Sequence, residues 1–282
     1  MKIGYISRMD RSYMHALALP LRQDSKYIVF SDCHRGDGRA DDNFLKNELM
    51  YLAALRYYYK NGYTYIELGD GDELWENRSI EKIKEMHPHS FAMIEKFREE
   101  DRFYPVYGNH DMVKKETAYS KKHLGGPCYP GILLEDPQKK LFLTHGHQAD
   151  VMNSTFWKVN RFLVRYLWKG LELLGVPDPT SAAKNNTHKA RTEKRLTKWA
   201  AQNDVILITG HTHRPMAGTK ESPYFNTGSC VHPAGITGME IEHRCMTLVK
   251  WSLGTDGAQA VYVRREVLGK KVCIDAHSLN NL

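Results

Sequence analysis

The sequence has no Cys-x-x-Cys pair. Its five cysteines stand apart at 33, 128, 230, 245 and 273. An odd, scattered set is not the spacing of a zinc ribbon or a disulfide framework. A reducing cytoplasm is the compartment that fits it. Long apolar runs are also missing. No charge-free stretch reaches the roughly 18 residues of a membrane-spanning helix. Near the N-terminus Arg8, Asp10, Arg11 and His15 interrupt any apolar core of signal-peptide length. There is no internal repeat, no low-complexity tract, and no RNA- or DNA-binding module or aromatic–basic repeat. What remains is a chain of 282 residues, 41% hydrophobic, enough for one large α/β domain or two small ones. Its net charge of +7 suggests anionic partners without saying which.

Chemistry-bearing residues recur at the ends of apolar runs. Val205-Ile206-Leu207-Ile208 reads as a buried strand and runs into Gly210-His211-Thr212-His213. Tyr27 to Phe30 leads to Asp32-Cys33-His34. Tyr65 to Leu68 leads to Gly69-Asp70. Phe103 to Tyr107 leads to Gly108-Asn109-His110-Asp111, and Leu141 to Thr144 to His145-Gly146-His147. Imidazole, carboxylate and amide donors without thiolate suit manganese, iron or zinc better than a soft-metal site. Cys33 lies between two such donors. Side chains alternate at a strand end, so Cys33 is expected to pack rather than ligate.

These five blocks, in this order, resemble the calcineurin-like metallophosphoesterases. Their pattern is D-x-H, GD-x-x-[DE], GNH[DE], the His of a Gly-His element, and GH-x-H. The likeness spans about residues 26 to 230. It implies a four-layer α/β/β/α sandwich, two mixed sheets face to face with helices outside, and metals at the strand carboxyl ends. It implies two divalent transition-metal ions, manganese first, with iron or zinc as alternatives. The first would take Asp32, His34, Asp70 and His213. The second would take Asp70, Asn109, His145 and His211, with Asp70 bridging. A hydroxide shared by the two ions would attack phosphorus. The resemblance also implies that His110 contacts the phosphate and protonates the leaving oxygen, with Asp111 orienting it. His145 fits the ligand position best. His147 is left as an outer support, a substrate contact, or a replacement for His145.

The remaining chain alternates between strand and helix. Residues 1–25 are ambiguous. A helix is expected over Asp41–Lys60, with Asp41 or Asp42 as cap and Gly62 as stop. Ser79 is read as the cap of a second helix that Pro88 breaks or restarts. A hairpin is expected at 132–144, and two antiparallel strands over Met239–Trp251 and Ala260–Leu268. Residues 150–203 exceed what a simple crossover needs and read as a helical insertion, a lid within a single 1–282 domain. Phe156, Val159, Leu163, Leu167, Leu171 and Leu174 form its apolar stripe. Arg161, Arg165 and Lys169 lie on the basic side as candidate substrate contacts.

Gly69 to Trp75 is similar to the GD-x-x-E-x-W element of the UDP-2,3-diacylglucosamine pyrophosphohydrolases, which also carry a basic, apolar helical insertion. Those enzymes have GNRD where this chain has GNHD. The expected substrate is therefore a phosphorylated small molecule, or a nucleotide- or lipid-linked pyrophosphate. Cyclic-nucleotide or nucleic-acid phosphodiesterase, protein phosphatase and a non-catalytic binding platform share the same motifs. A cytoplasmic location, with peripheral membrane contact through the basic insertion, completes the expectation.

Overall fold

The computed structural model describes residues 4–39, 42–150, 154, 186–257 and 260–278. Its strands are β1 (Leu17–Pro20), β2 (Lys26–Phe30), β3 (Thr64–Leu68), β4 (Phe103–Val106), β5 (Ile132–Glu135), β6 (Lys140–Leu143), β7 (Ile206–Thr209), β8 (Tyr224–Asn226), β9 (Ile236–Glu242), β10 (Cys245–Thr255) and β11 (Val261–Cys273). The helices are α1 (Gly4–Met14), α2 (Glu48–Lys60), α3 (Ile80–Met86), α4 (Pro88–Glu99), α5 (Thr117–Leu124) and α6 (Asn186–Gln202). One sheet has the order β1-β5-β6-β7-β8 and the other β11-β10-β9-β2-β3-β4. Each mixes parallel and antiparallel neighbours.

Period-two alternation builds the layers. Tyr27 and Val29 of β2 meet Leu141 and Leu143 of β6 and Ile206 and Ile208 of β7 in a core between the sheets. Ile28 and Phe30 point the other way, into a second core with Tyr51, Leu55 and Tyr58 of α2 and Phe97 of α4. Phe142 and Leu207 point outward from the other sheet, against Met9 of α1 and Leu196 and Trp199 of α6. Helix, sheet, sheet and helix thus form the expected four layers, with the central strands β2, β3 and β7 buried on both faces.

The local boundaries shift. Helix α2 starts at Glu48, preceded by a single 3₁₀ turn over Leu45–Asn47. Asp42 supports that turn by accepting from the Leu45 amide at 3.2 Å. Ser79 caps α3, and Pro88 opens α4 at its first turn, where a missing N–H costs nothing. Residues 1–25 contribute α1 and β1. The stretch 239–251 is not one strand. It belongs to β9 and β10, joined by a tight turn in which His243 and Arg244 both have positive φ, 51° and 56°. No Gly or Asn marks that turn.

Cys245 and Cys273 form a disulfide, against the expectation from cysteine spacing. They lie opposite each other across β10 and β11, a juxtaposition made by register and invisible as sequence spacing. Cys33 packs into the core beside α2, as expected.

Within the 150–203 insertion, α6 is a structural layer. Its Leu196, Trp199 and Ala200 are buried in the core of the domain. The apolar stripe from Phe156 to Leu174, and with it Arg161, Arg165 and Lys169, lies outside the described residues. No helix among the described residues is long and apolar enough to cross a membrane.

Candidate metal centre

Parallel strands β2, β3 and β4 of one sheet and β6 and β7 of the other end on the same side of the sandwich. Their carboxyl-terminal loops carry every expected ligand. Asp32, His34 and His213 form one cluster and Asp70, His145 and His211 a second; within each, one ligand atom per residue lies within 4.8 Å of the others. Asp70 Oδ2 is 3.1 Å from His145 Nε2 and 3.9 Å from His34 Nε2, so one carboxylate reaches both. His213 Nε2 is 3.0 Å from Asp32 Oδ1. Asn109 Oδ1 is 3.2 Å from His145 Nε2. His110 also falls in a cluster, with His34 and Asp70.

The backbone is bent to achieve this. Asp32, His34, Asp70, His211 and His213 all have φ between 47° and 66°. Non-glycine residues rarely occupy that region, and five of them converging on one place is the clustering found at functional sites. The glycines of the motifs have a packing reason. A Cβ on Gly108 would lie 2.0 Å from Asp70 Oδ1, and one on Gly210 would lie 2.3 Å from Asp32 Oδ2. The ligand carboxylates rest directly on those two α-carbons.

The imidazoles are oriented by their second nitrogens. His34 donates from Nδ1 to Glu73 at 2.8 Å, and His145 donates from Nδ1 to the Leu68 carbonyl at 3.0 Å. Each then aims Nε2 into the site, the arrangement by which outer carboxylates and carbonyls fix metal-binding histidines. His34 Nε2 and His211 Nε2 are buried without a hydrogen-bond partner among the described residues. Buried nitrogens of this kind need a partner, and a bound cation would supply one. Nitrogen and oxygen donors of this kind fit a divalent transition metal. Burial alone would lower the His34 pKa, but Glu73, Asp70 and Asp32 outweigh burial and raise it to about 10. His145 rises to about 9, again against burial, chiefly through Asp70 and Asp32. A metal would displace those protons.

The expected role of Asp111 is corrected. Its carboxylate does not touch His110. It accepts from the Gly108 amide at 2.7 Å, the Gly71 amide at 3.1 Å and Lys114 Nζ at 2.6 Å. Asp111 therefore ties the loop of Asp70 to the loop of Asn109. The residue that holds His110 is Glu73, 2.8 Å from its Nδ1. Trp75 stacks on the same imidazole with ring centroids 4.3 Å apart. Burial would raise the Glu73 pKa, but His110 and His34 bring it down to about 2. Glu73 belongs to the GD-x-x-E element, so a signal for it existed, but its two partners are visible only in space.

Other supports were not foreseen. Arg35 makes a bidentate pair with Glu67, at 2.7 and 2.9 Å, and donates to Asp72 at 2.7 Å. Lys114 lies 2.7 Å from Asp72. All four are buried beneath the loops, with Asp111. Removing one member would leave the others as uncompensated buried charge. Asp150, just past the fourth block, lies 3.6 Å from His211 Nε2. Asn226 donates to the Gly210 carbonyl at 2.7 Å and fixes the last block from β8. His147 is buried, and its ring lies 5.5 Å from that of His145, outside the three clusters. Burial, with the neighbouring His145 and His211, holds its pKa well below the usual value. The geometry thus places His145, not His147, among the potential ligands.

Residues 26–241 match the model of the calcineurin-like phosphoesterase superfamily domain, and the chain belongs to that superfamily. A search of curated proteins gave no match. Among solved structures, the chain is similar to a conserved uncharacterized protein, a predicted phosphoesterase, from Streptococcus pneumoniae TIGR4. The two are 17% identical over 86% of this chain and 98% of that one, with a TM-score of 0.38. It is also similar to vacuolar protein sorting 29 from Cryptosporidium parvum, at 16% identity, 87% and 98% coverage and a TM-score of 0.42. Vps29 from Chaetomium thermophilum gives 13%, 88% and 98%, and 0.40. Scores this low support no argument about activity.

Proposed function

We propose that this protein is a metal-dependent phosphoester hydrolase. One observation carries the reading: the Asp70 carboxylate lies within reach of two separate His/Asp clusters. Two divalent transition-metal ions, manganese first, would supply an activated water and neutralise phosphate charge there. The first would be held by Asp32, His34, Asp70 and His213, and the second by Asp70, Asn109, His145 and His211. Neutral Asn109 contributes an oxygen without adding negative charge near an incoming phosphate. His110, fixed through Nδ1 by Glu73, presents its other nitrogen to the bound phosphoester. Glu73 and Asp70 raise its pKa in spite of burial, the direction that suits a proton donor to the leaving oxygen.

The substrate reading is a nucleotide- or lipid-linked pyrophosphate. It rests on the Gly69–Trp75 element and the basic insertion. In this chain, however, Glu73 and Trp75 are both engaged in fixing His110. A substrate panel separates the classes. Manganese-loaded protein should be offered a monoester, a diester, a cyclic nucleotide, single-stranded DNA and a UDP-linked acyl sugar, beside the Asp70→Asn variant. The reading expects hydrolysis that is lost in Asp70→Asn and is fastest on the UDP-linked sugar. A preference for DNA or the cyclic nucleotide would reassign the substrate. Turnover of no substrate, or equal turnover by the variant, would overturn the hydrolase.

A further inference from the structure

Strand β11 closes one end of the six-stranded sheet, and among the described residues nothing pairs with its outer side. An open edge templates pairing with another strand unless it is guarded. From Val261 to Leu268 this edge runs in unbroken register with β10; the register shifts only beyond, at Gly269, where φ is +79°. Val261, Tyr262 and Val267 are exposed along it.

We propose that β11 pairs antiparallel with β11 of a second copy of this chain, joining two six-stranded sheets about a two-fold axis at Arg265. A two-fold axis normal to a sheet always centres on a residue that faces its own copy. Centred on Arg265, Arg264 falls opposite Glu266 of the second copy, and Val263 opposite its Val267, each pair occurring twice. Tyr262 falls opposite Leu268. Centred on Arg264, the same strand would set Arg264 against itself and Val263 against Arg265. Centred on Glu266, it would oppose two glutamates and set Arg265 against Val267. Of these three registers, the one centred on Arg265 alone matches charge with countercharge and apolar with apolar, the pairings that stabilise antiparallel neighbours. It is the self-complementarity an isologous contact requires.

The residue on the axis is already neutralised. Arg265 donates from Nε to Glu240 Oε1 at 2.7 Å, and its Nη2 bonds the other oxygen of that carboxylate. Arg264 and Glu266 pair with each other along the strand at 3.3 Å, and both contact Ser252 Oγ of β10 at 3.3 Å. Both are exposed enough to exchange that partner for the same pairing across the axis. The competing reading is that these charges guard the edge and keep the chain monomeric.

Sedimentation velocity on the full chain decides. The expected species is a dimer of about 65 kDa, twice 32.5 kDa. Glu266→Arg alone, or Arg264→Glu alone, puts like charges across the axis and should weaken the dimer about tenfold or more. Combining both changes in one chain swaps the pair and should restore it. Mixing the two single variants should give a heterodimer, which also shows that each is folded. A monomeric wild type, or a dimer indifferent to both reversals, would overturn the proposal.

Discussion

At the level of single residues, the proposed mechanism rests on His110 and Glu73. In the structure one carboxylate holds two imidazoles, His34 in the ligand cluster and His110 beside it. The two substitutions should therefore differ. His110→Ala should keep its metal and lose turnover, by about 10² to 10⁴-fold for a positioned acid. The loss should shrink for a nitrophenolate leaving group, which needs little protonation; an equal loss with good and poor leaving groups would make His110 a phosphate binder only. Glu73→Gln should also weaken metal binding, by about 10–100-fold, because it removes the support behind His34. Unchanged metal affinity in a titration of Glu73→Gln would contradict this. Asp32, His34, Asp70, Asn109, His145, His211 and His213 were legible in the sequence because each ends an apolar run in a fixed order. The partner of His110 was not. Asp111 adjoins it in the chain, but side chains of successive residues diverge, and the backbone turn brings Glu73 to it instead.

Secondary-structure elements explain most of what pattern reading found and what it missed. The runs Tyr27–Phe30 and Val205–Ile208 are buried on both faces, so they read as strands without alternation. The His243–Arg244 turn gave no signal because its positive φ values fall on residues that do not favour them. Helix α6 was read as part of a lid because the 150–203 stretch exceeds what a simple crossover needs, whereas Trp199 and Leu196 bury one face of it in the core. Another junction stores a pH dependence. His87, buried where α3 meets α4, sits 2.9 Å from Asp42 and 3.1 Å from Glu48. Burial would lower its pKa, but the two carboxylates raise it to about 9. A folded-state pKa above the unfolded value of about 6.5 means the stabilisation is full below that value. It is lost as pH rises from about 6.5 through 9. Urea melts across that range should show His87→Ala losing most stability relative to wild type at low pH, and converging with it near pH 9. A difference constant with pH would mean the imidazole acts by packing alone.

The whole molecule is a device for bringing loops from two sheets to one place. β2, β3 and β4 deliver Asp32, His34, Asp70 and Asn109, while β6 and β7 deliver His145, His211 and His213. The core between the sheets fixes their separation, and the buried Arg35, Glu67, Asp72, Lys114 and Asp111 lock the loops of the first sheet. The four layers were implied by the family resemblance that the ordered blocks carry. The buried charges did not, because nothing in a sequence says which lysine pairs beneath a loop. The central claim is that this convergence makes a metal-dependent phosphoester hydrolase, and a manganese titration of chelator-stripped protein, read by hydrolysis of bis-p-nitrophenyl phosphate, tests it most directly. The account predicts no turnover in the stripped protein and activity that rises until two equivalents are bound. Turnover that survives stripping, or that never appears at any manganese concentration, would contradict it.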